Sequence, residues 1–161
     1  MQKNRQEGGF LVELSNMKIR KASLKDVKSI SELNRKFFRE RERNWEELIS
    51  GKDSEMFVLE LNKRIVGFTG VFYRKWNNAA QIINIFIRPD YRNKGYGTKL
   101  LKFMTQYLKN KKYRMLMAEA PSLNPVLMLY LKNGFRVCGF NDRYYSNRAK
   151  DIAIFLSYDF K

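Results

Sequence analysis

The stretch Arg92-Asn93-Lys94-Gly95-Tyr96-Gly97-Thr98 sets two glycines and two basic side chains at the entrance to a segment of helical spacing, with Lys99 directly after them. A glycine-bearing turn that enters a helix exposes main-chain N–H groups that no helical carbonyl accepts, and the positive end of the helix dipole lies along them. An anion suits such a place. Gly95 and Gly97 carry no β-carbon to hold an oxygen away, and Arg92, Lys94 and Lys99 add positive charge. Read alone, the spacing fits either a diphosphate cradle or a tight strand-to-helix turn with solvated basic residues. Two familiar nucleotide loops do not fit. No glycine stands five places before Gly97, as a Walker loop requires, and Leu100 occupies the place of a dinucleotide fingerprint's third glycine.

Three further positions carry side chains able to move protons or hold a substrate. Glu119 ends an apolar run and is the only acid between Asp90 and Asp142, which suits either a partly desolvated proton acceptor or a strand-end partner of a Lys or Arg. Tyr130, in "LMLYL", is a proton donor or a core aromatic. Tyr144 and Tyr145 alternate in a strand-like stretch, so one of them should face the packed side and the other a cleft or solvent. The chain has no histidine and a single cysteine. That composition excludes Ser-His-Asp and Cys-His catalysis, the HExxH zinc helix and a cysteine-built zinc site, so no metal is expected. Cys138 reads as a small buried apolar residue in a reducing compartment.

Positioning these groups requires the following elements. "KIRK" (18–21) alternates as a short strand, and Leu24, Val27, Ile30, Leu33 and Phe37 then fall on one helical face behind a Ser23–Asp26 capping box. A second short helix runs from Asn44 as N-cap to Gly51. From Glu55 the period changes to two, giving strands at 55–61, 64–75 and 81–89, with turns at Asn62-Lys63 and Asn77-Asn78. A helix at 96–110, a buried strand at 113–120, a helix at 125–132 stopped by Asn133-Gly134, and strands at 135–145 and 151–160 complete the chain. The order β-α-α-β-β-β-α-β-α-β-β describes an α/β fold: one central, mixed, mostly antiparallel sheet with helices on both faces. The strands at 81–88 and 113–119 are joined by a helical crossover and should run parallel, with the glycine loop at the first corner.

"NIFIRPDYRNKGYGTKLL" resembles motif A of the GNAT superfamily of acetyl-CoA-dependent N-acetyltransferases, an apolar strand followed by Pro-Asp and [RQ]-x-x-G-x-[GA]. "LYLKNGF" (129–135) resembles that family's second landmark, in the right order and at the right separation. Within the family the likeness is closest to the N-terminal (Nα) acetyltransferases of the ribosomal-protein-alanine kind. It is carried by Asn84 in "NIFI", by Glu119 five residues before Asn124, and by "RYYSNRAKDIAIF". The resemblance implies acetyl-CoA as cofactor, with the main chain of Ile85, Phe86 and Ile87 on its pantetheine arm. Arg92, Asn93, Lys94, Gly95, Tyr96, Gly97 and Thr98 would wrap its pyrophosphate, and Asn124 would lie near its thiol end. It further implies Glu119 as general base and Tyr130 beside the sulfur, with Tyr144 or Tyr145 on the substrate. The spacing from Asn124 to Tyr130 is one residue shorter than the family's, and Pro125 follows the asparagine directly.

The formal net charge is +16, with an excess of Lys and Arg in every third of the chain. Spread positive charge favours polyanionic partners, whether a nucleotide-like cofactor, nucleic acid or the ribosome, and repels a polyamine acceptor. Three readings follow: an acetyltransferase acting on protein or peptide N-termini, one acting on a small-molecule amine or a lysine side chain, and a basic nucleic-acid-binding module. The last gives the Gly-x-Gly loop no role. No apolar run approaches the ~20 residues needed to cross a bilayer, so no membrane contact and a cytoplasmic location are expected. Residues 1–16 read as a flexible extension, with Met17 as an alternative start and residues 17–161 as one domain.

Overall fold

The computed structural model describes residues 16–38, 43–148 and 150–161. The sequence-predicted N-terminal extension falls almost entirely outside them. The strands are β1 (Met17–Lys21), β2 (Ser54–Leu61), β3 (Arg64–Arg74), β4 (Ala79–Ile87), β5 (Met115–Pro121), β6 (Arg136–Asn141) and β7 (Ala153–Asp159). The helices are α1 (Val27–Leu33), α2 (Trp45–Ser50), α3 (Tyr96–Asn110) and α4 (Val126–Lys132). All seven strands form one sheet in the order β1-β2-β3-β4-β5-β7-β6, antiparallel except where β4 meets β5. This is the mixed, mostly antiparallel architecture predicted from the sequence.

Local chemistry explains the elements. At the entry to the first helical segment the Ser23 N–H donates to Asp26 Oδ2 over 2.8 Å, one half of the predicted box. The segment is a short 3-10 turn, then α1, then a π-helical turn over Asn34–Phe38. The tighter pitch of its first turn leaves Leu24 exposed, whereas Ile30 is buried. Leu24 therefore does not belong to the packed face that periodicity assigned to it. Asn44 Oδ1 accepts from the Glu47 N–H at 3.1 Å and starts α2 as predicted. Asn62 and Lys63 both take positive φ in the two-residue turn between β2 and β3. Between β3 and β4 a 3-10 turn over Lys75–Asn77 precedes the left-handed Asn78.

The sheet separates two cores. Leu101, Met104 and Leu108 of α3 pack on Ala80, Ile82, Leu116 and Ala118, while Ile30, Trp45 and Leu48 of α1 and α2 pack on Met56, Phe68 and Phe86. Helices thus cover both faces. At one edge β6 pairs only with β7, and Val137 and Phe140 are exposed. Cys138 is exposed too, contrary to the buried position expected of it, because it lies on this edge strand, most of whose residues are exposed.

Candidate active site

β4 and β5 pair only through Ala79–Met115, Ala80–Leu116 and Gln81–Met117. Beyond Gln81, β4 stays on β3 and β5 stays on β7, so the two strands part. A cavity of about 610 Å³ opens at the parting, walled by residues 82–87 on one side and by Glu119, Pro121 and α4 on the other.

The glycine loop closes one end of this cavity. Arg92 Nε donates to the Ile87 carbonyl at 2.8 Å and its guanidinium lies over the Phe86 ring, so the charge is fixed at the end of β4. Asn93 and Gly95 both take left-handed φ, 58° and 82°. A β-carbon on Gly95 would meet no protein atom within 4 Å, so the torsion requires glycine there and the open side faces the cavity. At Gly97 a β-carbon would lie 3.3 Å from the Leu129 side chain, so this glycine also lets α4 approach α3. No side chain caps α3, and the Lys99 N–H is the first to reach an intrahelical acceptor, the Gly95 carbonyl at 3.0 Å. The amides of Gly95, Gly97 and Thr98 precede that bond, in the first turn where a helix offers its own N–H groups no carbonyl. Clustered donors, left-handed torsions and a tethered guanidinium fit a diphosphate. Arg92, Asn93, Gly95, Gly97 and Thr98 line the cavity together with Ile85, Phe86 and Ile87. Two predicted residues do not: Lys94 lies over the Tyr91 ring, and Tyr96 is buried with Leu59 and Leu100, leaving only its main chain to the loop.

The two residues expected to transfer protons, Glu119 and Tyr130, lie on opposite sides of the gap. Leu116, Ala118 and Ala120 of β5 pack toward α3, so alternation turns Glu119 toward the α1 and α2 face. Glu119 Oε1 accepts from the Tyr145 hydroxyl at 3.1 Å, while Oε2 is buried with no hydrogen-bond partner. Tyr130 reaches the cavity from the α3 side and is buried against Phe135. Asn124 lines the cavity despite its shortened spacing. Its Oδ1 accepts from the Val126 N–H at 2.9 Å, so Nδ2 is the end left to a ligand.

Tyr144 and Tyr145 are not in a strand, as alternation predicted. β6 ends at Asn141, and the two tyrosines sit in the loop after it with their rings edge to face. Tyr145 lines the cavity; Tyr144 packs on Phe155. Interaction with the Glu119 carboxylate, ahead of burial, pushes the Tyr144 hydroxyl up to about 12. Burial, with the Glu119 charge, pushes that of Tyr145 higher still. Both hydroxyls therefore stay protonated across the neutral range, and that of Tyr145 remains a donor to the carboxylate. Residues given no site role from the sequence also line the cavity, among them Phe37, Ile83 and Asn84. Asn84 had entered only as one of the residues that carry the family likeness.

A parted pair of parallel strands, an anion loop at the following helix and a carboxylate on the neighbouring strand define the class. The chain belongs to the GNAT family of acetyltransferases, whose sequence profile matches residues 23–135. It is 27% identical over 140 residues, 84% of this chain and 91% of the relative, to a Bacillus subtilis (strain 168) protein named as a ribosomal protein bS18-alanine N-acetyltransferase. Its fold is that of the ribosomal-protein-S18-alanine N-acetyltransferase from Escherichia coli, with a TM-score of 0.80 at 21% identity over 90% of this chain and 94% of that one. It is similarly that of a protein named as a streptothricin acetyltransferase of Bacillus anthracis strain Ames, solved with acetyl coenzyme A. There the TM-score is 0.76 at 22% identity, over 90% and 98% of the two chains. The chain is an N-acetyltransferase with acetyl-CoA as donor and an amine as acceptor. Among the described residues no group of three His, Cys, Asp or Glu side chains is placed to hold a metal ion, and no helix is long and apolar enough to cross a membrane.

Proposed function

We propose that the acceptor is the α-amino group of a protein or peptide N-terminus, acetylated by direct attack while donor and acceptor are bound together. The observation that carries this reading is the environment of Glu119, the one carboxylate among the described residues that line the cavity, with one oxygen held by Tyr145 and the other unpartnered. One carboxylate serves one amine. A polycationic small molecule would bring charges that no other described residue lining the cavity balances, and Arg92 and the net charge of +16 oppose it.

Acetyl-CoA supplies an activated acyl group, and the chain's own residues do the rest. Glu119 Oε2 takes the proton that the attacking amine must lose. The Ile87 main-chain N–H serves the oxygen on which charge develops, a contact typically worth about 3 kcal/mol. Tyr130, on the other side of the gap, delivers a proton to the departing thiolate. The loop from Arg92 to Thr98 fixes the diphosphate, and the Asn124 amide meets the donor near its thiol end. Holding both reactants in one cleft lowers the barrier by several kcal/mol before any proton moves.

The relative and the Escherichia coli structure, both named for acetylation of a ribosomal protein's alanine, support a protein acceptor. Nothing comparable supports nucleic acid. The streptothricin acetyltransferase fold points to the alternative, a small-molecule amine. The test is thiol release from acetyl-CoA over peptides differing in their first residue, with N-blocked peptides, free lysine and streptothricin alongside. Turnover confined to free N-termini is expected. Turnover of streptothricin or lysine side chains, with none of α-amines, overturns the proposal.

A further inference from the structure

β4 carries an irregularity that places a second polar group in the cavity. Val71 pairs with Ile82 and Gly70 with Asn84, so Ile83 is an extra residue on β4. Ala80 and Ile82 pack toward α3, and strict alternation would send Asn84 the same way. The extra residue turns it over. Asn84 instead shares the face of Phe86, which packs with Phe68 and Ile30 on the α1 and α2 side, the face toward which Glu119 also points. The arrangement is held from below: the Thr69 hydroxyl donates to the Asn84 carbonyl at 2.7 Å, and Gly70 opposite leaves the space that Met56 and Ile83 fill.

The Asn84 side chain is only 5% exposed, it lines the cavity, and neither its Oδ1 nor its Nδ2 has a hydrogen-bond partner. Native interiors seldom leave both ends of an amide unsatisfied, because each lost its water on folding. A neutral group offering one donor and one acceptor matches a peptide unit, which offers the converse pair; an ammonium or a carboxylate satisfies only half of it. We infer that Asn84 is an acceptor-binding residue that hydrogen-bonds the first peptide group of the substrate, beside the amine that Glu119 deprotonates. This rests on the proposed α-amine acceptor. It adds a reason for selectivity, since an amine without a neighbouring amide leaves Asn84 unsatisfied and is disfavoured accordingly.

The test uses Asn84→Ala, which removes both ends, and Asn84→Asp, which keeps the shape but loses the donor. Steady-state kinetics with the best peptide of the panel should show KM for peptide raised about tenfold or more in both variants, the effect of losing one or two hydrogen bonds to substrate. KM for acetyl-CoA and the thermal shift produced by CoA should stay as in the unaltered chain. A residue that merely supports β4 would move those last two together with kcat. Peptide KM unchanged in both variants, or a fall in kcat alone, overturns the inference while leaving the acceptor class standing. Failure of the unaltered chain to acetylate any peptide overturns both.

Discussion

An amine attacks only when uncharged, so the carboxylate beside it governs how fast the bound acceptor reacts. The oxygen that does this work, Glu119 Oε2, has no protein partner, whereas Oε1 is tied to Tyr145. Glu119→Gln keeps the shape and the Tyr145 contact but cannot accept the proton. It should lower kcat about 100-fold or more at neutral pH with KM for acetyl-CoA nearly unchanged. Arg92→Ala should do the reverse: KM for acetyl-CoA rises about tenfold, since a charge-assisted contact to the diphosphate is lost, and kcat at saturation holds. Initial rates over both substrate concentrations separate the two. Equal losses in kcat from both variants would dissolve the division of labour between the carboxylate and the loop.

At the scale of elements, a second carboxylate ties the fold together away from the cavity. Glu55 on β2 accepts from the Tyr73 hydroxyl of β3, from Tyr107 of α3 at 2.7 Å, from Lys21 of β1 at 2.7 Å and from Lys111 at 3.2 Å. Burial alone would raise its pKa, but these four donors outweigh it and bring it down to about 2. A depressed carboxylate contributes stability that is present above its unfolded value, about 4.5, and lost as pH falls toward about 2. Glu55→Gln should lower Tm at pH 7 by about 5 °C. The difference from the unaltered chain should narrow between pH 4.5 and 2; melts over that range check it.

Elements and loop were legible in the sequence because their causes are local. The capping Asn44, the turn at Asn62-Lys63 and the glycines before α3 act within a few residues of themselves. What escaped depends on partners distant in sequence. The flip at Ile83 is a property of pairing, which residue spacing does not encode. Asn84 carried the family likeness but was not legible as a cavity residue for that reason. Tyr144 and Tyr145 kept the alternation of a strand after the pairing of β6 had ended. Cys138 looked like a core residue only because nothing local reveals that β6 is an uncovered edge.

For the whole molecule, the excess of 16 positive charges acts at a distance on a donor that is itself strongly anionic. The loop contacts are short-ranged, so salt should weaken capture more than turnover. KM for acetyl-CoA should rise several-fold between about 0.05 and 0.5 M salt with kcat held within about twofold. Rate measurements at fixed pH test this; a KM indifferent to salt would show that the dispersed charge serves something other than donor capture.

Because only three residue pairs join β4 to β5, the seven-stranded sheet is two smaller sheets hinged at one end, with main-chain groups of β4 beyond Gln81 facing open space. A pantetheine arm laid there behaves as an absent ribbon restored between the halves. Amide deuteration at Ile85 and Ile87, whose N–H groups alternate away from β3, should accordingly be fast in the free chain and slow once CoA is added, while β2 and β3, already flanked on both sides, should scarcely respond.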